Sequence, residues 1–131
     1  MSGESDLQTL LSSLKIAISD EVFVFATIVS GTYPETLRPQ MMFREAEGLT
    51  LIIEEAEAKA HTLAYEFASR MITLNVHSSL EAVGFMAHIS AKLADAGIPV
   101  NPVAGFYHDH LFIPADRLAE AKAILSQIAS D

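Results

Sequence analysis

The sequence predicts an α+β fold of two interlocked βαββαβ units, with antiparallel sheets and helices on one face. Runs of β-branched and aromatic residues, bounded by Gly, Pro and Asn, point to strands at 21–29, 41–44, 49–53, 71–77, 98–106 and 109–113. Between them, apolar residues recur at helical spacing. The second half takes the order β-α-β-β-α, five of the six elements of a ferredoxin-like unit. No sixth element follows before Asp131, so its fourth strand is expected to be absent or supplied from elsewhere.

The elements of the second half follow in order. Met71-Ile-Thr-Leu-Asn-Val-His77 alternates, with Ile72, Leu74 and Val76 on one face. Ser78-Ser-Leu-Glu81 has the spacing of a capping box, in which a side-chain oxygen and a carboxylate satisfy two orphan amides. A helix is predicted from there to about Ala96, with Val83, Met86, Ser90 and Leu93 along one side and Gly97 as its stop. Pro99 and Pro102 punctuate the next strand and place it at least partly at a sheet edge. Tyr107-His108 suits a tight turn, and Asp109 to Ile113 returns as a strand. Pro114-Ala-Asp116 then opens a last helix carrying Leu118, Ala121, Leu125 and Ile128.

The first half is fainter. A short helix over 6–13, capped by Ser5 or Asp6, carries Leu7, Leu10, Leu11 and Leu14. Glu21-Val-Phe-Val-Phe-Ala-Thr-Ile-Val29 is the strongest strand of the chain. Ser30 to Gln40, with Gly31, Pro34 and Pro39, is a loop. Met41 to Arg44 and Leu49 to Ile53 flank Glu45-Ala-Glu47-Gly48 as a hairpin, and Glu54 to His61 is helical by composition. This half is expected to lack its opening strand, as the second lacks its closing one. The segment from Tyr65 to Val76 serves both units, closing the first and opening the second. The series Glu45, Glu47, Glu54, Glu55 and Glu57 reads as a solvated face.

Composition narrows the function classes. Eight Lys and Arg against seventeen Asp and Glu give a net charge of -9, which disfavours nucleic acid and anionic membrane surfaces as partners. There is no cysteine, hence no disulfide framework, thiolate zinc site or cysteine nucleophile. Met1 to Asp6 carries neither a basic nor an apolar leader region, and the apolar runs fall short of the ~20 residues that span a bilayer. A cytoplasmic location is expected, with neither membrane nor nucleic acid as a partner.

Few residues offer chemistry. In a strand, His108 and His110 project to the same face, with His77 as the nearest further donor, yet two imidazoles are an incomplete metal site. Ser78 and Ser79 lack the Gly-x-Ser-x-Gly elbow of a serine nucleophile, and Gly84, Gly97 and Gly105 have neither Walker nor dinucleotide spacing. No catalytic residue, cofactor or metal is therefore expected. What remains is binding: the helix start at Ser78 to Gly84 offers backbone amides and a positive dipole end to a small carboxylate. Asp109 at the hairpin can accept from an ammonium group. Gly84, costing about 1 kcal/mol in helix propensity, either lets a ligand approach or eases packing of the helix on the sheet.

Three stretches resemble the ACT-domain family: Ile72-Thr-Leu-Asn-Val-His-Ser-Ser-Leu-Glu-Ala-Val-Gly84, Leu93-Ala-Asp-Ala-Gly-Ile-Pro-Val-Asn101 and Gly105-Phe-Tyr-His-Asp-His-Leu-Phe-Ile-Pro114. The hairpin Phe43-Arg-Glu-Ala-Glu-Gly-Leu-Thr-Leu51 is similar to the same branch of the family, small bacterial proteins with two ACT-like units. Related hairpins occur in the ACT modules of aspartate kinases and of the animal cytosolic arginine sensor. The resemblance implies an incomplete N-terminal ACT-like unit over 1–68 and a C-terminal ACT domain over 69–131. It also implies regulatory binding of a small molecule, usually an amino acid, between ACT units packed side by side. The positions so implied are Ser78, Ser79, Val83, Gly84 and Phe85 on one side, and Asn101, Gly105, Phe106 and Asp109 on the other. Many amino-acid-binding relatives have an acidic residue just before the helix, where this chain has Ser78-Ser79.

The expected function is thus non-enzymatic, amino-acid-binding and regulatory. Its rivals are an assembly module without a ligand and a metal-binding protein using His108, Asp109 and His110. Open sheet edges predict a homodimer or higher oligomer.

Overall fold

The computed structural model describes residues 3–30 and 32–130. Met1 and Ser2 of the leader reading and Gly31 of the expected loop lie outside the described residues, as does Asp131. The elements are α1 (Leu7–Ser12), β1 (Ile16–Ile28), β2 (Met41–Arg44), β3 (Leu49–Glu54), α2 (Glu55–Ala60), β4 (Tyr65–Leu74), α3 (Phe85–Asp95), β5 (Asn101–Ala104), β6 (Asp109–Pro114) and α4 (Leu118–Ser130), with a 3-10 turn at Ala115–Arg117. The strands take the order β2-β3-β1-β4-β6-β5. By packing, the chain divides into one unit of residues 1–19 with 70–131 and another of residues 20–69.

In the unit of 20–69, the end of β1 is the opening strand. β2 and β3 form the antiparallel hairpin, with Phe43 opposite Thr50, and Phe25 of β1 lies opposite Ile52 of β3. The start of β4 closes the unit, as expected of the segment from Tyr65. The expectation of a missing opening strand is therefore corrected: β1 fills that place, and among the described residues no helix stands between the first two strands. Pro34 and Pro39 keep that stretch irregular by removing backbone donors. Val24, Ala26, Leu37, Leu51, Ile53 and Ala58 make the core of this unit.

In the other unit, the end of β4 opens and the start of β1, at 16–19, supplies the fourth strand. The Asn75 amide donates to the Lys15 carbonyl at 2.6 Å, and the Arg70 guanidinium donates to the Ser19 carbonyl at 2.7 Å. The strand was expected to begin only at Glu21. The Ile16-Ala-Ile18 alternation is short, and Ser19, Asp20 and Glu21 interrupt it with polar residues of weak strand propensity. Leu10, Leu11, Ile72, Leu74, Phe85, Ile89, Leu93, Ile113 and Leu125 lie in the core of this unit.

The helix after β4 also differs from expectation. Its buried residues are Phe85, Ile89 and Leu93, whereas Val83 is 84% exposed, so the predicted stripe through Val83, Met86 and Ser90 is shifted by one residue. It begins at Phe85 because Gly84, at φ 91°, takes a left-handed conformation outside the helix. Its end is as expected. Gly97 has φ 73°, its amide donates to Ala94, and the Ile98 amide reaches back to Leu93, the paired closure of a Schellman motif. β5 ends the strand order, matching the edge position that Pro102 predicts, but it spans only Asn101–Ala104 of the expected 98–106 strand, so Pro99 lies outside it.

Candidate functional site

The residues between β4 and α3 fold as a tight polar loop. The Ser79 hydroxyl accepts from the Glu81 amide at 3.1 Å, and the Ala82 amide donates to the Ser79 carbonyl. The capping box expected from Ser78 to Glu81 is thus replaced by a Ser turn, since the left-handed Gly84 separates these residues from the helix. The loop amides are spent internally. Ser78 donates to Val76, and Ser79 donates at 2.7 Å to Glu4 of the N-terminal segment. Glu4 in turn donates to the His77 carbonyl, and the two segments form a parallel bridge at Glu4 and Ser78. The expected carboxylate-binding amides at Ser78 and Ser79 are accordingly engaged. The amides without a side-chain cap are those of the first turn of α3, from Phe85 onward.

Across from this loop stands the hairpin of β5 and β6. The Gly105 amide donates to the His108 carbonyl at 2.9 Å and closes the turn. Asp109 follows at the start of β6, and its carboxylate accepts the Ser78 hydroxyl at 3.0 Å. Ser78 and Ser79 are 8% and 5% exposed; the Ser78 hydroxyl ties the loop to the hairpin, and that of Ser79 closes the loop on itself. Loop, helix start and hairpin enclose a cleft of about 180 Å³ lined by Ser78, Ser79, Leu80, Ala82, Phe85, Met86, Ala104, Gly105 and Asp109.

Five of the nine expected site residues, Ser78, Ser79, Phe85, Gly105 and Asp109, meet at this cleft. Val83, Gly84, Asn101 and Phe106 are not among its lining residues. The Phe106 ring instead meets Tyr107 edge to face, with centroids 5.0 Å apart, and lies 6.5 Å from His77. Gly84 shapes the cleft through its backbone: a Cβ there would meet only Leu7 Cδ2, at an ordinary 3.6 Å. The sequence reading missed Leu80, Ala82, Met86 and Ala104, which carry no polar signature, and the bracing by Glu4. The proximity of the capping serines to an acidic hairpin was the one available hint.

The histidines form a separate arrangement. The rings of His108 and His110 are 6.4 Å apart, and His110 Nδ1 lies 3.0 Å from the Thr73 hydroxyl. Burial, and then the charge of His108, lower the pKa of His110 below the ordinary imidazole value, with Asp109 acting in the opposite sense. Among the described residues, no group of three or more His, Asp or Glu is placed to hold a metal ion.

A β-α-β-β-α unit completed by a borrowed strand is a ferredoxin-like α+β unit, here with a small cleft between its first loop and its hairpin. Two family models, each described as an ACT domain, match residues 2–70 and 66–127. The chain belongs to the ACT-domain family. A Vibrio cholerae protein described as of unknown function, possibly a transport protein, is 38% identical over 94% of this chain and 95% of its own, with a TM-score of 0.85. The regulatory subunit of Thermus flavus aspartate kinase superposes with a TM-score of 0.64 at 10% identity, covering 86% of this chain and 95% of that one. Aspartate kinase from Clostridium acetobutylicum has a TM-score of 0.71 at 10% identity, over 90% of this chain and 35% of the enzyme. At those identities the kinases share the fold alone. Comparison with curated proteins gives no match. Among the described residues, no helix is long and apolar enough to cross a membrane.

Proposed function

We propose that this chain is a non-enzymatic, cytoplasmic regulatory protein that binds a free amino acid in the cleft between the 78–84 loop, α3 and the β5–β6 hairpin. The observation that carries the reading is the placement of Asp109 on a cleft that also takes in the uncapped first turn of α3. A carboxylate would sit at the first-turn amides, where dipole and donors favour an anion. The ammonium group would replace or join the Ser78 hydroxyl at Asp109. The cleft is smaller than the ~300–1,000 Å³ that suits drug-sized ligands, which favours a small zwitterion. Its walls, from Leu80, Ala82, Phe85, Met86 and Ala104, would receive an apolar or short side chain.

A thermal-shift panel of the twenty amino acids tests this. A ligand at a hundredfold its dissociation constant adds about 2.7 kcal/mol of stability. A rise in melting temperature with one or a few amino acids supports the reading, and no shift at millimolar concentration contradicts it. The second reading is a ligand-free assembly module. It is favoured by the exposure of Leu80, Val83, Phe106 and Tyr107 in the loop and hairpin that border the cleft.

A further inference from the structure

Residues 3–7 touch the cleft loop at both of its ends. The Glu4 amide donates to the His77 carbonyl at 2.8 Å, and the Glu4 carbonyl accepts from the Ser79 amide at 2.7 Å. Gly3, at φ 93°, rests on the peptide between Ser78 and Ser79. A Cβ there would lie 2.9 Å from the Ser78 carbonyl carbon and 2.8 Å from the Ser79 nitrogen. At the other end, Leu7 Cδ2 stands 3.6 Å from where Gly84 would carry a Cβ. The Glu4 carboxylate turns back on its own segment and accepts from the Ser5 and Asp6 amides at 3.0 Å. Asp6 then caps α1, accepting from the Thr9 amide at 2.9 Å.

The hold on this stretch is uneven. From Leu7 onward, apolar side chains carry α1 into the core, with Leu10 and Leu11 buried. Residues 3–6 are exposed, and main-chain hydrogen bonds join them to the loop. The net gain from two exposed hydrogen bonds does not exceed the entropy lost in ordering residues 3–6. Such a segment opens locally while the fold stays intact.

We propose that residues 3–6 form a strap whose docking on the loop and the filling of the cleft by an amino acid reinforce each other. The strap is held firmly in the liganded chain and opens more often in the empty one. This rests on the cleft being the amino-acid site. Ser78 and Ser79 belong to both contacts: they line the cleft, and their backbone carries Gly3 and Glu4. A ligand that spans from the first turn of α3 to Asp109 orders the loop between them. A loop already ordered costs the strap less entropy to pair with, which couples the two events without any change of fold. The coupling is reciprocal: the factor by which the ligand favours the docked strap is the factor by which the docked strap favours the ligand. Occupancy of the cleft is thereby converted into order of the N-terminal segment.

Hydrogen exchange of the isotope-labelled full chain, with and without an equimolar mixture of the twenty amino acids at millimolar concentration, reads the docking directly. The Glu4 and Ser79 amides are expected to exchange about fivefold or more slowly with the mixture. The Gly97 amide, at the exposed far end of α3, is expected to keep its rate. Titration with the same mixture, followed at the Gly105 amide in the cleft, gives the affinity. Glu4→Pro removes the donor to His77 and is expected to weaken binding by a comparable factor, with an unchanged circular dichroism spectrum. Glu4→Gln keeps the backbone bonds and a side-chain acceptor for Ser5 and Asp6, and is expected to bind as the wild type does. Saturation at Gly105 without slowing at Ser79, equal affinity in Glu4→Pro, or an equal loss in Glu4→Gln would each overturn the coupling and leave the cleft reading standing. No response at Gly105 to the mixture would overturn the cleft reading, and the coupling with it.

Discussion

Gly84 and Asp109 separate shape from binding at the level of single residues. Gly84 was open to two sequence readings, room for a ligand or room for packing. Its φ of 91° and the 3.6 Å separation from Leu7 Cδ2 support neither, and the requirement is conformational. Gly84→Ala is expected to destabilise the fold by about 1–2 kcal/mol, the cost of a left-handed residue with a Cβ, as read by urea denaturation. Asp109→Asn keeps the shape and removes the charge. Loss of a charge-assisted hydrogen bond worth about 1.5–3 kcal/mol is expected to weaken amino-acid binding at least tenfold by calorimetry, with little change in melting temperature.

His110 gives a pH-dependent expectation at the same scale. Its pKa in the folded chain is lowered, so the unfolded chain takes up the proton more readily. The stabilisation from keeping the ring neutral is full above the ordinary imidazole pKa and is lost as pH falls through the lower folded value. Melting temperature is therefore expected to drop on acidification through that window, and His110→Gln is expected to flatten this part of the profile. A profile that Gln leaves unchanged would assign the acid sensitivity to other groups.

At the level of elements, strand and helix identities were largely legible, while the junctions that make the cleft were not. Alternation marked the second half of β4, apolar runs beside turn residues marked β3 and β6, and apolar spacing marked α1 and α4. The start of α3 was misplaced by several residues because Ser78-Ser-Leu-Glu81 satisfies a local capping pattern. Only the backbone of Gly84 shows that the pattern closes a turn. The bridge between Glu4 and Ser78 has no sequence signal, since main-chain atoms make it. Gly3→Val tests its importance. Gly3 has φ 93°, and a Cβ there would lie 2.8 Å from the Ser79 amide nitrogen. The substitution is expected to detach the segment, speed hydrogen exchange at the Ser79 amide, and lower affinity at the cleft.

At the scale of the whole molecule, the two units are completed by sharing strands. β1 opens one unit and supplies the fourth strand of the other, and β4 closes one and opens the other. The sharing of β4 was visible because its apolar pattern runs from Tyr65 without a turn signal. That of β1 was hidden by the polar residues at Ser19 to Glu21. Five of nine candidate site residues were placed at the cleft, because its polar members sit at a loop and a hairpin that pattern reading can locate. Its apolar walls resemble any core residue in the sequence.

The most direct test of the binding site is an amide chemical-shift titration of the isotope-labelled chain with the amino acid that gives the largest thermal shift. Saturable perturbations centred on Ser78, Ser79, Phe85, Met86, Gly105 and Asp109, and absent in Asp109→Asn at the same ligand concentration, are the expected result. Perturbations elsewhere, or an unchanged titration in Asp109→Asn, would contradict the cleft as the site.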